Sequence, residues 1–331
     1  MTHRLVSYGL GPIGLAVADL ALSKSNLEIV GAVDVDPDKV GTDLHELLGR
    51  PDKSGVVVED DAAAVFARTK PDAILHCTAS FLPVVVDQLV DAARAGVNIV
   101  SSSEELLVPD LQHPEIAARI DEAAREGGAT VLGTGVNPGF SMDFMAVVAT
   151  AVCHDVRGVR CVRVVDAGTR RFPLQRKVGA SLSVEEFREQ EKTGRFGHIG
   201  MRESVALVGR ALGFELDSIR QTLEPVIATQ THETEFLTVE RGAVAGIHNM
   251  GYGERAGETV VELDLSMYVG APDPRDEVFL SGSPDLHVRY EGGIPGDPAT
   301  AAMLVNSVSQ VIGAAPGLVT TVDLPPPRLV R

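Results

Sequence analysis

The residues best suited to chemistry are two adjacent carboxylates, Glu104 and Glu105, in the stretch "NIVSSSEELLVP". They follow a short β-branched run and three serines, where a carboxylate can exchange protons with a bound molecule. Glu104 is the first ionisable side chain after this run, so we predict that it faces a ligand, whereas Glu105 should point elsewhere. The alternative is that both acids only mark the start of a helix, where negative charge is favourable.

A second chemical signature is the glycine spacing of "GLGPIG", which matches the pattern GxGxxG between a strand-like run and a helical pattern. In this context the first glycine permits a tight turn, the second a close approach to a pyrophosphate and the third the packing of helix on strand. The plainer alternative is that the glycines only form a turn. The predicted dinucleotide contacts in this turn are Gly9, Gly11, Pro12, Ile13 and Gly14.

Asp34 lies about 20 residues beyond the glycine turn, at the end of "EIVGAVD". A carboxylate there accepts hydrogen bonds from the adenosine ribose and repels a 2′-phosphate, which favours NAD as the cofactor. Lys39 follows closely and could accept a phosphate if Asp34 turned away, so NADP remains an alternative. Asp34 could also be only a turn or cap residue before Pro37.

Three further strand ends are rich in small or polar residues: "CTASF", "SSSEE" and "GTGVNPGF". In a doubly wound sheet the ligand crevice lies outside the carboxyl ends of the strands, so we expect these segments to border the cofactor. The Cys77 thiol is expected to be a small buried group and not a reactive one. The predicted cofactor contacts in these segments are Cys77, Thr78, Ala79, Ser80, Ser101, Ser102, Asn137 and Pro138.

The residues predicted to line a substrate pocket are Phe140 and Phe144, with the basic residues Arg170 and Lys177 from "RRFPLQRK". This basic stretch could bind an anionic substrate or could equally be a solvated loop. The nine histidines show no metal-ligand spacing, and we expect no metal site.

Strand-like and helical patterns alternate through the first 140 residues, and these elements must position the residues named above. The alternation predicts an α/β domain with a doubly wound parallel sheet of about six strands. After "NPGFSMD" the strand-like runs have few helices between them, which predicts a mainly antiparallel sheet in an α+β domain. A last apolar helix, "ATAAMLVNSVSQVIGA", could return to the first domain. We therefore expect a dinucleotide-binding domain from 1–140 and about 298–331, and a substrate and dimerisation domain from 141–297. The end "LPPPRLV" is the one candidate for a loose tail.

The formal net charge of −17, from 46 acidic and 29 basic residues, argues against nucleic acid and anionic membrane surfaces as partners. Three scattered cysteines give neither a disulfide frame nor a zinc pattern, so a reducing, cytoplasmic location is expected. The apolar run near the N-terminus imitates a signal peptide, but its glycines fit the nucleotide turn better.

The same residues carry a resemblance to a known family over nearly the whole chain. The sequence resembles the 2,4-diaminopentanoate dehydrogenases and the native amine dehydrogenases, which are distant relatives of dihydrodipicolinate reductase. It lacks the paired histidines and the Lys-x-Asp-Ala-Pro-Ser-Gly-Thr motif of that reductase, which makes a role in lysine synthesis doubtful. The segments that match are "GLGPIG…GAVDVDPDKVG", "ILHCTASFLP", "NIVSSSEELLVP", "GTGVNPGFSMD" and "GDPATAAMLVNS".

The resemblance implies a reversible, NAD(P)-dependent oxidative deamination, or in reverse the amination of a small ketone or aldehyde with ammonia. It assigns the catalytic acid–base role to Glu104 and nothing to Glu105, and it implies a Rossmann fold and a homodimer. The alternatives are a 2,4-diaminopentanoate dehydrogenase or another imine reductase of the same fold. A non-enzymatic NAD(H) sensor is the alternative from a different class.

Overall fold

A computed structural model gives the structure of residues 2–330, in which the chain divides into two units. The first unit runs to Phe140 and resumes at Pro295, and the second is Ser141–Ile294. Within these described residues, no helix has both the length and the apolar character that a membrane crossing requires.

The first 133 residues alternate strands and helices. The strands are β1 (His3–Tyr8), β2 (Leu27–Val33), β3 (Val58–Glu59), β4 (Ala73–His76), β5 (Asn98–Ser101) and β6 (Thr130–Gly133). The helices are α1 (Pro12–Leu22), α2 (Leu44–Leu47), α3 (Ala62–Thr69), α4 (Leu82–Arg94) and α5 (Pro114–Gly127), with short 3-10 helices at Glu104–Leu107 and Pro109–Leu111.

The central strands of this segment are covered on both faces of the sheet. In β4 and β5, Ile74 and Ile99 enter the core on one face, under α3, α4 and α5, and Leu75 and Val100 enter the core on the other. Such two-sided burial is characteristic of a parallel sheet with helices on both sides. The polar residues His76 and Ser101, which end β4 and β5, therefore fall at the rim of the sheet.

In the second unit a six-stranded sheet carries helices on one face. Its order is β14-β13-β7-β12-β11-β8, and β9 pairs separately with β10; all these pairs are antiparallel except β7 with β12. Apolar residues of α6 and α9 pack with those of the central strands to form its core. The strands are β7 (Asp155–Asp166), β8 (Ser218–Ile227), β9 (His232–Glu233), β10 (Thr238–Val239), β11 (Val244–Arg255), β12 (Glu258–Tyr268), β13 (Arg275–Ser283) and β14 (Leu286–Glu291). The helices are α6 (Phe144–Ala149), α7 (Phe172–Lys177), α8 (Val184–Glu191) and α9 (Met201–Ala211).

The chain then returns to the first unit through α10 (Gly296–Ile312) and β15 (Gly317–Val319). Helix α10 packs beside α1 on the sheet, and β15 pairs with β6 in parallel. The sheet order is thus β15-β6-β5-β4-β1-β2-β3. The predicted α/β class, a doubly wound parallel sheet with a second, mainly antiparallel α+β unit, is confirmed.

The structure also decides two smaller points that the sequence left open. The tail "LPPPRLV" is not loose, because Leu324 packs against the core under α1 and α10 and the Val330 N–H donates to Asn306 Oδ1 at 2.9 Å. The stretch from Arg170 to Lys177 is not a loop, because α7 occupies most of it. Pro173 falls in the first turn of this helix, where a missing N–H costs nothing.

Candidate active site

The glycine turn connects β1 to α1 and packs against the end of β4. Gly9 has φ +87°, and a Cβ built on it would lie 2.6 Å from the carbonyl oxygen of Cys77. A Cβ on Gly14 would lie 1.8 Å from the carbonyl oxygen of Gly9. Both positions therefore require glycine, one for its backbone conformation and both for the close contact. In the sheet order, β1 and β4 lie where the order reverses, which is where open α/β sheets bind ligands.

The N-terminus of α1 fits the pyrophosphate of a dinucleotide. Gly11 precedes the helix, and no described side chain caps it. A Cβ on Gly11 would meet nothing within 4 Å among the described residues, so the space beside the first helical turn is open. The first N–H groups of a helix have no partner within the helix, and the helix dipole favours negative charge there. Pro12 and Ile13 lie in this first turn.

Asp34 follows β2 and is fixed beside the glycine turn. Its Oδ2 accepts the Leu10 N–H at 2.6 Å, and its Oδ1 accepts the Asp36 N–H at 2.9 Å. The bond from the Leu10 N–H holds the carboxylate beside the glycine turn, as a contact with the ribose requires. The bond from the Asp36 N–H forms a local turn, which is the other role considered for Asp34. The two interpretations are therefore compatible.

Lys39 is held by both neighbouring acids. Its Nζ lies 3.1 Å from Asp36 Oδ2 and 3.4 Å from Asp34 Oδ2. Partial burial lowers the pKa of Lys39, but its bonds to these carboxylates outweigh that effect, and the pKa is raised above its ordinary value. Lys39 is therefore charged and already neutralised by acids.

The ends of β4 and β5 are joined by a buried network around His76, which the sequence analysis did not single out. His76 Nδ1 lies 2.8 Å from Ser101 Oγ, and Nε2 lies 2.9 Å from Gln88 Oε1. Burial lowers the pKa of His76 to about 4, so the ring is neutral at pH 7. With Gln88 Oε1 as the acceptor, Nε2 carries the proton and Nδ1 accepts from the Ser101 hydroxyl. Thr78 Oγ1 also donates to Gln88 Oε1, at 2.8 Å.

The segment that carries Glu104 begins directly after this network. The Ser102 N–H donates to the His76 carbonyl at 2.9 Å, and the Ser103 N–H donates to Ser101 Oγ at 3.1 Å. Glu104 is partly exposed at the start of the 3-10 helix Glu104–Leu107, and Glu105 is buried. Both acids thus lie in a first helical turn, as the alternative held, and they also follow a strand end at the crevice.

The side chain of Glu105 is directed to the start of α4. Its Oε2 accepts the N–H of Leu82, the first residue of α4, at 2.7 Å, and lies 3.2 Å from His113 Nε2. The Glu105 N–H donates to the Ser80 carbonyl at 3.2 Å. The segments after β4 and β5 are therefore bonded to each other.

Cys77 lies between the glycine turn and this segment. Burial raises the pKa of its thiol to about 12, and a hydrogen bond with Ser102 offsets part of that effect. The thiol is therefore protonated at pH 7 and unsuited to nucleophilic chemistry. Ala79 and Ser80 continue the same segment to the start of α4 at Leu82.

The segment after β6 completes this edge of the sheet. A Cβ on Gly133 would lie 2.6 Å from the backbone of Leu106, so the 3-10 helix packs directly on the end of β6. Further on, the Val136 N–H donates to Thr300 Oγ1 at 3.3 Å, and the Asn137–Pro138 peptide is cis. The first unit thus brings the predicted contacts of β1, β4, β5 and β6 to one edge.

The predicted pocket residues divide between the two units. Phe140 ends the first unit, and Phe144, which is 4% exposed, begins α6 in the second. Arg170 precedes α7 and Lys177 is its last residue.

Lys177 lies close enough to the buried His198 for its charge to act on that ring. Burial lowers the pKa of His198 to about 3, helped by the charges of Lys177 and Arg163. Arg163 is neutralised by Asp276, whose Oδ1 lies 2.5 Å from its guanidinium. In the part of the chain that the structure describes, no three His, Cys, Asp or Glu side chains are grouped to hold a metal ion.

Comparison with known proteins gives a consistent set of relatives. Residues 140–331 match the family model of the 2,4-diaminopentanoate dehydrogenase C-terminal domain. The chain is 32% identical to the 2,4-diaminopentanoate dehydrogenase of Acetoanaerobium sticklandii, with 99% of this chain and 94% of that protein covered. It is 26% identical to an amine dehydrogenase of Streptomyces virginiae, over 97% of this chain and 95% of that protein.

A solved structure is similar over the whole length. The amine dehydrogenase from Mycobacterium smegmatis superimposes with a TM-score of 0.87 at 32% sequence identity, covering 99% of this chain and 98% of that one.

Proposed function

The chain belongs to the 2,4-diaminopentanoate dehydrogenase family and is an oxidoreductase acting on amine donors, and on that basis we propose that it aminates a small ketone or aldehyde reversibly with ammonia and NAD(P)H. The single observation that supports this best is the position of Glu104. It follows β5 at the sheet edge, next to the segment after β4 that contacts the glycine turn. A proton carrier beside a dinucleotide site is what the reaction needs.

The bound nicotinamide would supply or accept the hydride. The role of Glu104 is proton transfer. As a carboxylate it takes a proton from ammonium, and as an acid it helps water leave the carbinolamine, which gives the iminium that receives the hydride. As a carboxylate again, it stabilises the positive charge of that iminium.

We propose NAD as the preferred cofactor. The Asp34 carboxylate is fixed beside the glycine turn by the N–H groups of Leu10 and Asp36, so a 2′-phosphate near it would meet a negative charge. Lys39, a nearby cation that could offset this repulsion, is bonded to Asp34 and Asp36. A ribose with free hydroxyls meets no such repulsion.

The test is the loss of NADH and NADPH absorbance with a panel of small ketones and aldehydes, with and without ammonium. We expect consumption that depends on ammonium and is faster with NADH. Consumption without ammonium would indicate plain carbonyl reduction, and binding without turnover would indicate a sensor; either result would contradict the proposal.

The Glu104→Gln variant tests the role of the carboxylate. We expect a decrease in kcat of roughly 10²- to 10⁴-fold, with NADH still bound. Glu115→Gln is the matched control, because Glu115 is also an acid in a first helical turn but is exposed at the start of α5. Near-normal turnover by Glu104→Gln would show that the acid–base role is wrong.

A second candidate is that the amine substrate carries a carboxylate, as 2,4-diaminopentanoate does. The observation in its favour is the charge of Lys177, which acts on His198 in the second unit. Oxidation of 2,4-diaminopentanoate and of uncharged amines of similar size, compared by kcat/KM with NAD, distinguishes the two. A preference for the carboxylate substrate would support this candidate.

We also propose a homodimer with no nucleic-acid partner. The excess of 46 acidic over 29 basic residues supports the second part. Light scattering should give twice the chain mass of 35.0 kDa, and a mass of one chain would contradict the dimer.

A further inference from the structure

Glu105 stands beside the proposed proton carrier, and its side chain is almost wholly withdrawn from solvent. Only 9% of that side chain is exposed. A buried carboxylate is unfavourable unless its oxygens accept hydrogen bonds. Glu105 therefore occupies its site because of the bonds that it makes there.

Those bonds join two different segments of the first unit. Oε2 of Glu105 accepts the Leu82 N–H at 2.7 Å, and the helix that begins at Leu82 has thirteen residues. The first N–H groups of such a helix need an outside acceptor, and a negative charge is favourable there. His113 Nε2, 3.2 Å away, approaches the same oxygen.

The backbone around Glu104 is fixed on both sides by one acceptor. The Ser80 carbonyl accepts the Ser103 hydroxyl at 3.1 Å and the Glu105 N–H at 3.2 Å. Glu104 lies between these two donors in the chain. Its backbone therefore depends on the position of Ser80, two residues before the helix that Glu105 caps.

The other side of the segment is also closed. Leu106 packs against Gly133 so closely that a Cβ there would lie 2.6 Å from the Leu106 carbonyl. The 3-10 helix therefore cannot move towards β6 without a steric clash, or away from the segment after β4 without breaking a hydrogen bond. The side-chain bond of Glu105 to the Leu82 N–H, at 2.7 Å, is shorter than the two bonds to the Ser80 carbonyl, at 3.1 and 3.2 Å, and its carboxylate acceptor makes it a strong restraint on that helix.

We propose that Glu105 is a positioning residue, which holds the backbone of Glu104 by capping α4 at Leu82; this rests on the proposed function of Glu104. The two acids thus have different roles. Glu104 exchanges protons with the substrate, and Glu105 fixes the segment from which Glu104 reaches it.

The test compares Glu105→Ala with Glu105→Gln at saturating carbonyl substrate, ammonium and NADH. We expect Glu105→Ala to lower kcat by roughly tenfold to 100-fold, because small misplacement of a catalytic group has effects of this size. The dissociation constant of NADH should change by no more than about threefold, since the glycine turn is untouched. Glu105→Gln keeps an oxygen that accepts the Leu82 N–H and should restore kcat to within about threefold of wild type.

Glu104→Gln provides a background that separates positioning from other effects. If Glu105 acts only through Glu104, adding Glu105→Ala to Glu104→Gln should lower kcat no further, which is the non-additivity expected of residues that act as a unit. A further loss in that background would overturn the proposal. Unchanged kcat in Glu105→Ala, or equal losses in Glu105→Ala and Glu105→Gln, would overturn it as well.

Asp121→Ala is the matched control for loss of a capping carboxylate. Asp121 also accepts one backbone N–H, that of Leu318 at 2.9 Å, and pairs with one cation, Arg125 at 2.8 Å, in the same unit. The kcat of Asp121→Ala should stay within about twofold of wild type, because Asp121 bonds to β15 and α5 and not to the segments after β4 and β5. A loss equal to that of Glu105→Ala would show a general effect of destabilisation and overturn the proposal.

Failure of the positioning role can be told from failure of the proposed function. If Glu104→Gln keeps full turnover, the acid–base role is wrong; if Glu104→Gln is inactive while Glu105→Ala is active, only the positioning role is wrong. Should Glu105→Ala not fold, Glu105→Asp keeps the charge and shortens the side chain, and it should lower kcat at least about threefold. Unchanged kcat in Glu105→Asp would then overturn the proposal.

Discussion

At the scale of single residues, we expect the charge of Asp34 to decide whether the glycine turn accepts a cofactor with a 2′-phosphate on its ribose. Its carboxylate is fixed by the Leu10 N–H at 2.6 Å and the Asp36 N–H at 2.9 Å. An asparagine of the same size could still accept the Leu10 N–H but would carry no negative charge. The substitution Asp34→Asn therefore removes the negative charge while the side chain stays in place.

We predict that Asp34→Asn shifts the ratio of kcat/KM for NADH over NADPH towards NADPH by roughly tenfold or more, because a hydrogen bond to a charged group contributes about 1.5 to 3 kcal/mol. Steady-state kinetics with both cofactors measure the ratio. Asp38→Ala removes an exposed acid of the same loop and should leave the ratio unchanged. An unchanged ratio in Asp34→Asn would rule out the ribose contact.

The residues of the candidate site that local patterns can identify are those that the sequence analysis names. The glycines, Asp34 and Glu104 occupy fixed positions relative to the ends of strands, so spacing is enough. The bonds of His76 to Ser101 and Gln88 join residues 25 and 12 positions apart. They depend on which strand and helix lie next to β4, which one sequence does not reveal. The only signal was a histidine at the end of a buried apolar strand.

At the scale of elements, the His76 network joins β4, β5 and α4. His76 follows Ile74 by two positions and Ser101 follows Ile99 by two, so both polar side chains lie on the face covered by α4. Gln88, in the second turn of that helix, bonds to the other ring nitrogen at 2.9 Å. The network needs a neutral ring, because Ser101 Oγ donates to Nδ1.

We predict that this neutral histidine makes stability depend on pH. Its pKa is about 4 in the folded protein against an ordinary value of 6.5, so between these values the unfolded chain binds a proton that the folded chain does not. Stability therefore falls as the pH decreases from 6.5 to 4, by up to about 3 kcal/mol from this residue. In His76→Gln this contribution is absent, so the free energy of unfolding should fall less steeply over the same range.

Urea denaturation at several pH values between 7 and 4 measures this difference. The exposed His154 supplies the control variant His154→Gln, which should keep the wild-type dependence. Equal slopes in wild type and His76→Gln would show that the ring is not buried as a neutral group.

The elements themselves are predictable to different degrees. Long periodic patterns gave α4, α5 and α10, because an amphipathic or apolar helix of three or more turns leaves a clear signal. The strand β8 was missed, because most of its residues are at least partly exposed and its sequence "SIRQTLEPVI" has a weak alternation. The strand β3 is limited to Val58–Glu59, the two residues that pair with β2.

At the scale of the whole molecule, each unit has its own hydrophobic core, and the second unit also contains a buried ion pair. In the second unit, Arg163 and Asp276 form a pair whose side chains are 2% and 1% exposed. Asp276 Oδ2 also accepts the Ile294 N–H at 2.7 Å. Removing the charge of Asp276 would leave a buried guanidinium without a counter-charge, which is strongly unfavourable.

We predict that Asp276→Asn lowers the free energy of unfolding of the second unit by about 3 to 5 kcal/mol. Hydrogen exchange should accelerate in peptides from Ser141–Ile294 and stay unchanged in those from β1 to β6. Asp87→Asn breaks the exposed pair with Arg119 and should change little. Equal exchange in Asp276→Asn and wild type would contradict the importance of the pair.

The alternation of strands and helices was enough to predict the two-unit α/β organisation, because it extends over the whole first unit. The sequence did not show that β15 adds a seventh strand or that Val330 is bonded to Asn306. Both depend on contacts between the C-terminus and segments far away in the chain. Composition alone made the Pro-rich end look loose, whereas packing of Leu324 and Val330 decides its structure.

The Ser80 carbonyl, which accepts both Ser103 Oγ and the Glu105 N–H, has a consequence for directed evolution. Substitutions after β4 should also shift Glu104, the proposed proton carrier after β5, so the two segments should show strong epistasis. Libraries that randomise one segment at a time would discard variants that need a compensating change in the other. Combinatorial libraries covering residues 78–81 and 102–105 together should therefore recover new selectivity more often than two separate rounds.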